Sequence, residues 1–303
     1  MGSDYRVERP ADVDAFLSRA SDFLIAHEAE NNLILGISSS LRQTPLLYGE
    51  PARFAVVTRD DRVVGAALQT PPFNLVVAFD SELGAVDALV DAFVDLPLPG
   101  VHGAVDLSTR FAERWHALTG QAVEPGLAER AFKLTRVKWP RPTSGRMRAA
   151  ERRDRQLIID WLVAFADEAR VGPFLDPDVA TDRWLARQGR TLYIWEDRDR
   201  VVSLAGAGGE TPNGVRVGPV YTPPRYRSRG YASNLVAHCS AAELDRGRRF
   251  VFLFTDVTNP TSNKIYESIG YQPVVDIQLF QFVPRTPSGP APRTGSGGGR
   301  PDR

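Results

Sequence analysis

The chain has 303 residues, 43% hydrophobic and 24% charged, the composition of a folded protein large enough for one big domain or two modest ones. Lys and Arg number 37 and Asp and Glu 37, so net charge gives no electrostatic case for a nucleic-acid or membrane partner. A single cysteine excludes internal disulfides and multi-cysteine metal centres; no metal site is expected, and a reducing cytoplasm is compatible with it.

In chain order, the N-terminus lacks the apolar core of a signal peptide, and Arg6 stands where a myristoylation signal takes Ser or Thr. No run approaches a membrane span, so a cytoplasmic protein is expected. Pro10 to Glu30 reads as an amphipathic helix, with Val13, Phe16, Leu17, Ala20, Leu24 and His27 near helical spacing. His27 reads as a core-edge residue rather than a ligand. Arg53 to Thr58 and Arg62 to Gln69 form a hairpin around Arg59-Asp60-Asp61. Ser81 to Leu96 is a helix with Ser81 as N-cap, Val101 to Leu107 a strand, Thr109 to Leu118 a helix and Ala131 to Val137 a strand. This alternation predicts an α/β domain over residues 1–140.

A Pro/Gly-rich connector, Lys138 to Gly145, separates it from a second domain at 146–283. Arg146 to Ala149 is a short strand and Glu151 to Ala169 a helix. A further helix follows Asp178, with Trp184 and Leu185 turned inward. Thr191 to Trp195 and Val201 to Gly206 make a hairpin around Glu196 to Arg200. Its Asp199-Arg200-Val-Val-Ser-Leu-Ala205 resembles Asp61-Arg62-Val-Val-Gly-Ala-Ala67, which predicts an internal duplication.

Val215 to Ala232 then reads as a strand, a loop and the start of a helix whose stripe is Ala232, Leu235, Val236 and Cys239. Cys239 is therefore expected in the core. Gly230 would let an anion approach the free amides of the helix N-terminus, with Arg225, Arg227 and Arg229 around it. The alternative is an exposed basic loop that only caps a helix. Nothing between Pro71 and Leu83 offers such a loop, so the first half reads as a degenerate copy or lid. Arg249 to Thr255 is a buried strand, Asn259 with Pro260 a helix start, and Gly270 that helix's C′ residue. Tyr271 to Phe282 is expected to be a final strand pair, and 284–303 a disordered tail, inert or touching an anionic partner.

Two blocks carry a family resemblance. Arg227-Ser-Arg-Gly230-Tyr-Ala232 fits the pattern [Gln/Arg]-x-x-Gly-x-[Gly/Ala], and Asn259…Ser262…Tyr266…Gly270-Tyr271 follows it in the matching order. Over Tyr193 to Phe282 the chain resembles the GNAT acetyltransferase superfamily, and as a whole it resembles two-copy members with one working site. The resemblance implies an α/β (α+β) fold, a mixed, mostly antiparallel sheet flanked by helices and duplicated in tandem. It implies acetyl-CoA as cosubstrate and direct N-acetyl transfer to a primary amine on a small molecule or peptide. Backbone groups of Val220 and Thr222, beside Tyr221, would hold the pantetheine arm, with Asn259 opposite. Arg227 and the amides of Ser228, Arg229, Gly230, Tyr231 and Ala232 would hold the pyrophosphate. Tyr266 would be the general acid, since a phenol titrating near about 10 stays protonated at neutral pH. Its other reading is a half-buried aromatic on the stripe of Ile265 and Ile269. The family's usual base falls near Arg216, which is no base; Glu196, Glu210 and Asp256 remain candidates, as does an unassisted neutral amine.

Other classes stay open: an acyl-CoA sensor without turnover, or a transferase for another acyl group. No Gly-x-x-x-x-Gly-Lys-Ser/Thr string supports a nucleotide-binding module. The sequence does not bear on the acceptor or the oligomeric state.

Overall fold

The computed structural model describes residues 5–80, 82–170 and 176–284. The first half runs β1 (Tyr5–Glu8), α1 (Val13–Ala26), α2 (Asn32–Gln43), β2 (Arg53–Arg59), β3 (Arg62–Gln69), β4 (Leu75–Phe79), α3 (Leu83–Phe93), β5 (Gly100–Ala104), α4 (Val105–Thr119) and β6 (Val123–Leu134). The second repeats this order: β7 (Arg146–Ala149), α5 (Arg155–Ala169), α6 (Pro177–Leu185), β8 (Thr191–Asp197), β9 (Arg200–Gly208), β10 (Gly214–Tyr221), α7 (Tyr231–Asp245), β11 (Phe250–Asp256), α8 (Pro260–Ile269) and β12 (Gln272–Phe282). The two hairpins match in detail. Asp60 and Asp61 turn with φ 49° and 61°, and Arg198 and Asp199 with 49° and 62°. Positive φ at both turn residues suits the twist of antiparallel strands. Each hairpin also has a register shift just before its turn.

All twelve strands form one sheet in the order β1-β2-β3-β4-β5-β12-β6-β11-β10-β9-β8-β7. Only β4–β5 and β10–β11 are parallel. The last strand of each half crosses into the other: β12 pairs with β5, and β6 with β11. Each core is finished by its neighbour. Phe282 stacks on Trp115 in the first half (ring centroids 4.9 Å), while Phe132 and Leu134 lie in the core under α7. One sheet face carries α3, α4, α7 and α8, the other α1, α2, α5 and α6, because alternate strand residues supply the two sets of cores.

A buried carboxylate ties the halves together. Glu28, 6% exposed, accepts from Thr211 Oγ1 (2.5 Å), Asn213 N (2.7 Å) and Asn213 Nδ2 (2.8 Å) in the turn that leads into β10. Glu28→Ala would strand three donors, so we expect a loss of about 3–5 kcal/mol, read from the urea midpoint. An unchanged midpoint would contradict the assigned tie.

Several boundaries differ from the sequence reading. The first helix is shorter than Pro10 to Glu30, because Asp12 caps it by accepting from Ala15 N at 2.8 Å. β5 stops at Ala104 and α4 begins at once, so residues 105–107 are helical rather than strand. The strand expected at Ala131 to Val137 is β6, which starts earlier and ends at Leu134. α2 was not anticipated: Gly36 and Ser38 to Ser40 are weak helix formers, but Gly36 lets the helix meet the Gly209 backbone. Tyr271 to Phe282 is one strand, not two, since it is paired on both edges. Ser81 and the tail beyond Pro284 lie outside the described residues. No helix among those described is long and apolar enough to cross a membrane.

Candidate active site

Because β10 and β11 run parallel, the loops that follow them emerge at the same end of the sheet. Their pairing covers Gly214↔Phe250, Val215↔Val251 and Arg216↔Phe252, then stops. β10 stays on β9 but shifts register between Val217 and Val220, around Pro219, which has no N–H to give a ladder. A wedge opens between Val217–Tyr221 and the far half of β11. Tyr221 O is turned to β9, where Ser203 Oγ donates to it at 3.1 Å. Strand alternation turns the backbone groups of Val220 toward the wedge, while Thr222 follows just past the end of the strand.

The loop after β10 leads to the start of α7. Ser228 has φ 60° and Gly230 φ 80°, and Asn234 N is the first to donate back, to Gly230 O at 3.0 Å. The amides of Tyr231, Ala232 and Ser233 are left for an outside acceptor, with the helix dipole behind them. Ser228, Arg229 and Gly230 are exposed. A Cβ at Gly230 would lie 3.6 Å from Asn234 Nδ2 and 3.8 Å from Thr143 Cβ, so the space over the backbone is open. The connector braces this loop: Thr143 Oγ1 donates to Arg229 O at 2.9 Å, and Asn234 Nδ2 to Arg141 O at 3.0 Å. These features fit a pyrophosphate.

Two loop residues have structural duties. Tyr231 is buried, and its hydroxyl donates to Asp197 Oδ2 at 2.6 Å, holding that carboxyl below the usual carboxylate range. Arg227 donates from Nε to Thr222 O (2.8 Å) and pairs with Glu168 on α5. Glu168 also accepts from Tyr221 Oη at 3.1 Å. It was not among the sequence candidates, and only the packing of α5 over β10 reveals it.

Asn259 caps α8, its Oδ1 accepting from Ser262 N at 3.1 Å. Its Nδ2 makes no bond among the described residues. Gly270 ends that helix with φ 111°. Tyr266 is half-buried, edge-on to Tyr271 at 6.0 Å, and its hydroxyl has no hydrogen-bond partner among the described residues. Burial pushes its phenol up to about 12. It is thus both a core aromatic and a proton-bearing group.

The candidate bases are engaged elsewhere. Glu210 pairs with Arg248, and Glu196 with Arg148 at 3.3 Å. Asp256 Oδ1 accepts from Thr258 N and Oγ1, both at 2.7 Å. Cys239 is wholly buried, which pushes its thiol far up. It should resist thiol reagents until the protein unfolds, and Cys239→Ala should keep activity; fast labelling of the native chain would contradict this.

The first half has a wedge too, since β4 and β5 pair only at Leu75↔Val101 and Val76↔His102. It holds a cavity of about 320 Å³ lined by His102 and, at its exposed rim, His27. Its loop is short and acidic, however. Asp80 and Glu82, paired with Arg62 and Arg59, stand where the second half has three arginines.

The site is thus a strand wedge that opens onto a glycine-capped helix N-terminus in a mixed α/β fold. Residues 156–271 match the model of the Acetyltransferase (GNAT) family, and the chain carries a GNAT acetyltransferase domain there. No curated protein matches the sequence. Among solved structures, a Drosophila protein aligns with TM-score 0.66 at 15% identity, covering 94% of this chain and 100% of its own. A GCN5-related N-acetyltransferase from Sphaerobacter thermophilus gives 0.58 at 17%, covering 92% and 96%. A tandem GNAT protein from the clavulanic acid biosynthesis pathway gives 0.52 at 14%, covering 91% and 97%. At these identities the likeness is one of fold.

Proposed function

We propose that the chain is an N-acetyltransferase that moves the acetyl group of acetyl-CoA directly to a primary amine. Residues 146–283 would be the working domain, and 1–140 a degenerate copy whose acidic loop repels a pyrophosphate. The observation that carries this reading is the register shift between Val217 and Val220, which parts the end of β10 from β11 beside the exposed loop and the free amides at the start of α7. On this reading the loop and helix amides hold the pyrophosphate and the free edge of β10 orients the pantetheine. The acetyl end then lies deepest, at the bulge. Asn259 keeps its capping role and offers Nδ2 to the same arm.

As the amine nitrogen bonds to the acetyl carbon and the carbon–sulfur bond breaks, Tyr266 gives its proton to the sulfur. The proton lost by the amine goes to water, because Glu196, Glu210 and Asp256 are all committed, and water returns a proton to the Tyr266 phenolate. That same commitment favours the second reading, an acyl-CoA sensor without turnover. Calorimetry with acetyl-CoA, followed by a thiol-release screen of amines, separates the two. Binding with release establishes the transferase, binding alone favours the sensor, and no binding removes both.

A further inference from the structure

Three arginines outside the cofactor path converge on the α5/α6 face of the sheet. Arg216 on β10 is opposite Gly208 on β9. The pair Thr191↔Ala207 places Arg190 in the same row, one step before β8. Arg190 and Arg216 therefore flank a position that has no side chain. Gly208 brings its neighbours close: a Cβ would fall 3.2 Å from Arg190 Cβ and 3.2 Å from the Trp184 ring. Arg190 lies over that ring at 5.5 Å, and Arg183 is one residue before Trp184 on α6. Tyr48, from the loop after α2, is half-buried; burial raises its phenol, and the charges of Arg216, Arg183 and Arg190 oppose that rise.

None of the three has a carboxylate within salt-bridge distance among the described residues. The acids around them are taken. Asp178 and Asp182 on α6 both accept from Arg155, at 2.8 and 2.7 Å. Glu210 is bound to Arg248. Glu129, whose charge reaches Arg216, is engaged with His102 Nε2 at 3.2 Å. Arg216 itself donates to the neutral Asn32 Oδ1 at 3.3 Å and rests on the Phe254 ring at 5.6 Å. All three guanidiniums are partly buried and desolvated. Gathering unpaired charge of one sign out of water is costly unless an anion completes it. The planar guanidinium fork matches a carboxylate in particular.

The next row along the same face is Gly206 and Gly218: the Trp184 ring covers Gly206, 2.7 Å from where its Cβ would be, whereas nothing lies within 4 Å of a Cβ at Gly218, two residues along β10 from Arg216. Two residues of strand, about 7 Å, separate the arginine row from the bulge. That span suits an amine and an acid group on one short carbon skeleton.

We propose that Arg183, Arg190 and Arg216 form the acceptor pocket, and that the acceptor is an amino acid whose carboxylate they bind while its amine faces the bulge. This rests on the transferase reading above. The test measures acetyl-CoA binding first, then thiol release with the twenty amino acids and β-alanine, each against its decarboxylated amine, with phosphoethanolamine alongside. At least one amino acid should exceed its amine more than tenfold in kcat/KM. Arg183→Gln, Arg190→Gln and Arg216→Gln should each raise the amino-acid KM by 10- to 100-fold with the acetyl-CoA KM unchanged. The double variant Arg183→Gln/Arg190→Gln should melt no lower than the parent, since it removes repelling charges; a purely structural role would lower Tm.

The proposal is overturned if acetyl-CoA binds but decarboxylated amines react equally well. It is likewise overturned if no amino acid reacts, if phosphoethanolamine outruns them all, or if the variants keep their KM. Should acetyl-CoA fail to bind, the transferase reading falls separately. The pocket is then judged by whether millimolar amino acids raise the Tm of the parent but not of the double variant. A shift upholds it and no shift removes it.

Discussion

Gly230→Val is expected to abolish acetyl-CoA binding while leaving the chain folded. Gly230 is the N-cap of α7, with φ 80° and ψ 1°. A side chain in this left-handed region costs about 1–2 kcal/mol, and a β-branched one sits there worst. Packing adds little to that cost, since the nearest atoms to a new Cβ are at 3.6 and 3.8 Å. We therefore expect Tm to fall by only a few degrees, roughly 2–4 °C per kcal/mol. The ligand suffers more. The valine methyl groups would stand over the amides of Tyr231 and Ala232, where a pyrophosphate must come to hydrogen-bond distance. A loss of at least about 100-fold in affinity, equivalent to about 2.7 kcal/mol, should follow in calorimetry. Gly230→Ala should fall between the two. Parent-like affinity in the valine variant would remove the pyrophosphate loop from the account.

Tyr266→Phe should lower kcat by about 100-fold or more, the usual worth of a positioned general acid, with the acetyl-CoA KM unchanged. The substitution deletes a hydroxyl that has no hydrogen-bond partner among the described residues, and it keeps the ring against Tyr271. Stability at neutral pH should accordingly be preserved or slightly raised.

The pH dependence has a definite sign. Burial raises the folded-state phenol to about 12, above the value of about 10 for an unfolded tyrosine. The stability gained from keeping it neutral is complete below pH about 10 and is lost as pH rises through about 12. The parent should lose stability across that window relative to Tyr266→Phe, in paired melts. Its kcat should show no alkaline fall from this group below pH about 11. A kcat within threefold of the parent would leave Tyr266 as a core aromatic only.

What the sequence determined by itself was local. The hairpin at Asp60-Asp61 and its repeat at Arg198-Asp199 were legible because a two-residue turn and alternating apolar strands are written in consecutive residues. The loop at Gly230, the Asn259 cap and the Gly270 stop were legible for the same reason: a backbone shape that needs glycine, or a donor that needs a cap, leaves its mark within one turn. Burial of Cys239 followed from helical periodicity alone.

What only the tertiary structure decided was which distant segments meet. The exchange of β6 and β12 has no local signature, because strand order depends on register across the sheet. Arg227 looked like an anion ligand beside Gly230, yet its partners are Thr222 O and Glu168, brought by β10 and α5. Glu196, Glu210 and Asp256 looked available until their arginines and threonine were in place. The meeting of Arg183, Arg190 and Arg216 was likewise invisible. They come from a helix, a strand entry and a strand, and are gathered by β8–β9–β10 register over one bare glycine. Charge placement is a long-range property, whereas caps and turns are short-range ones.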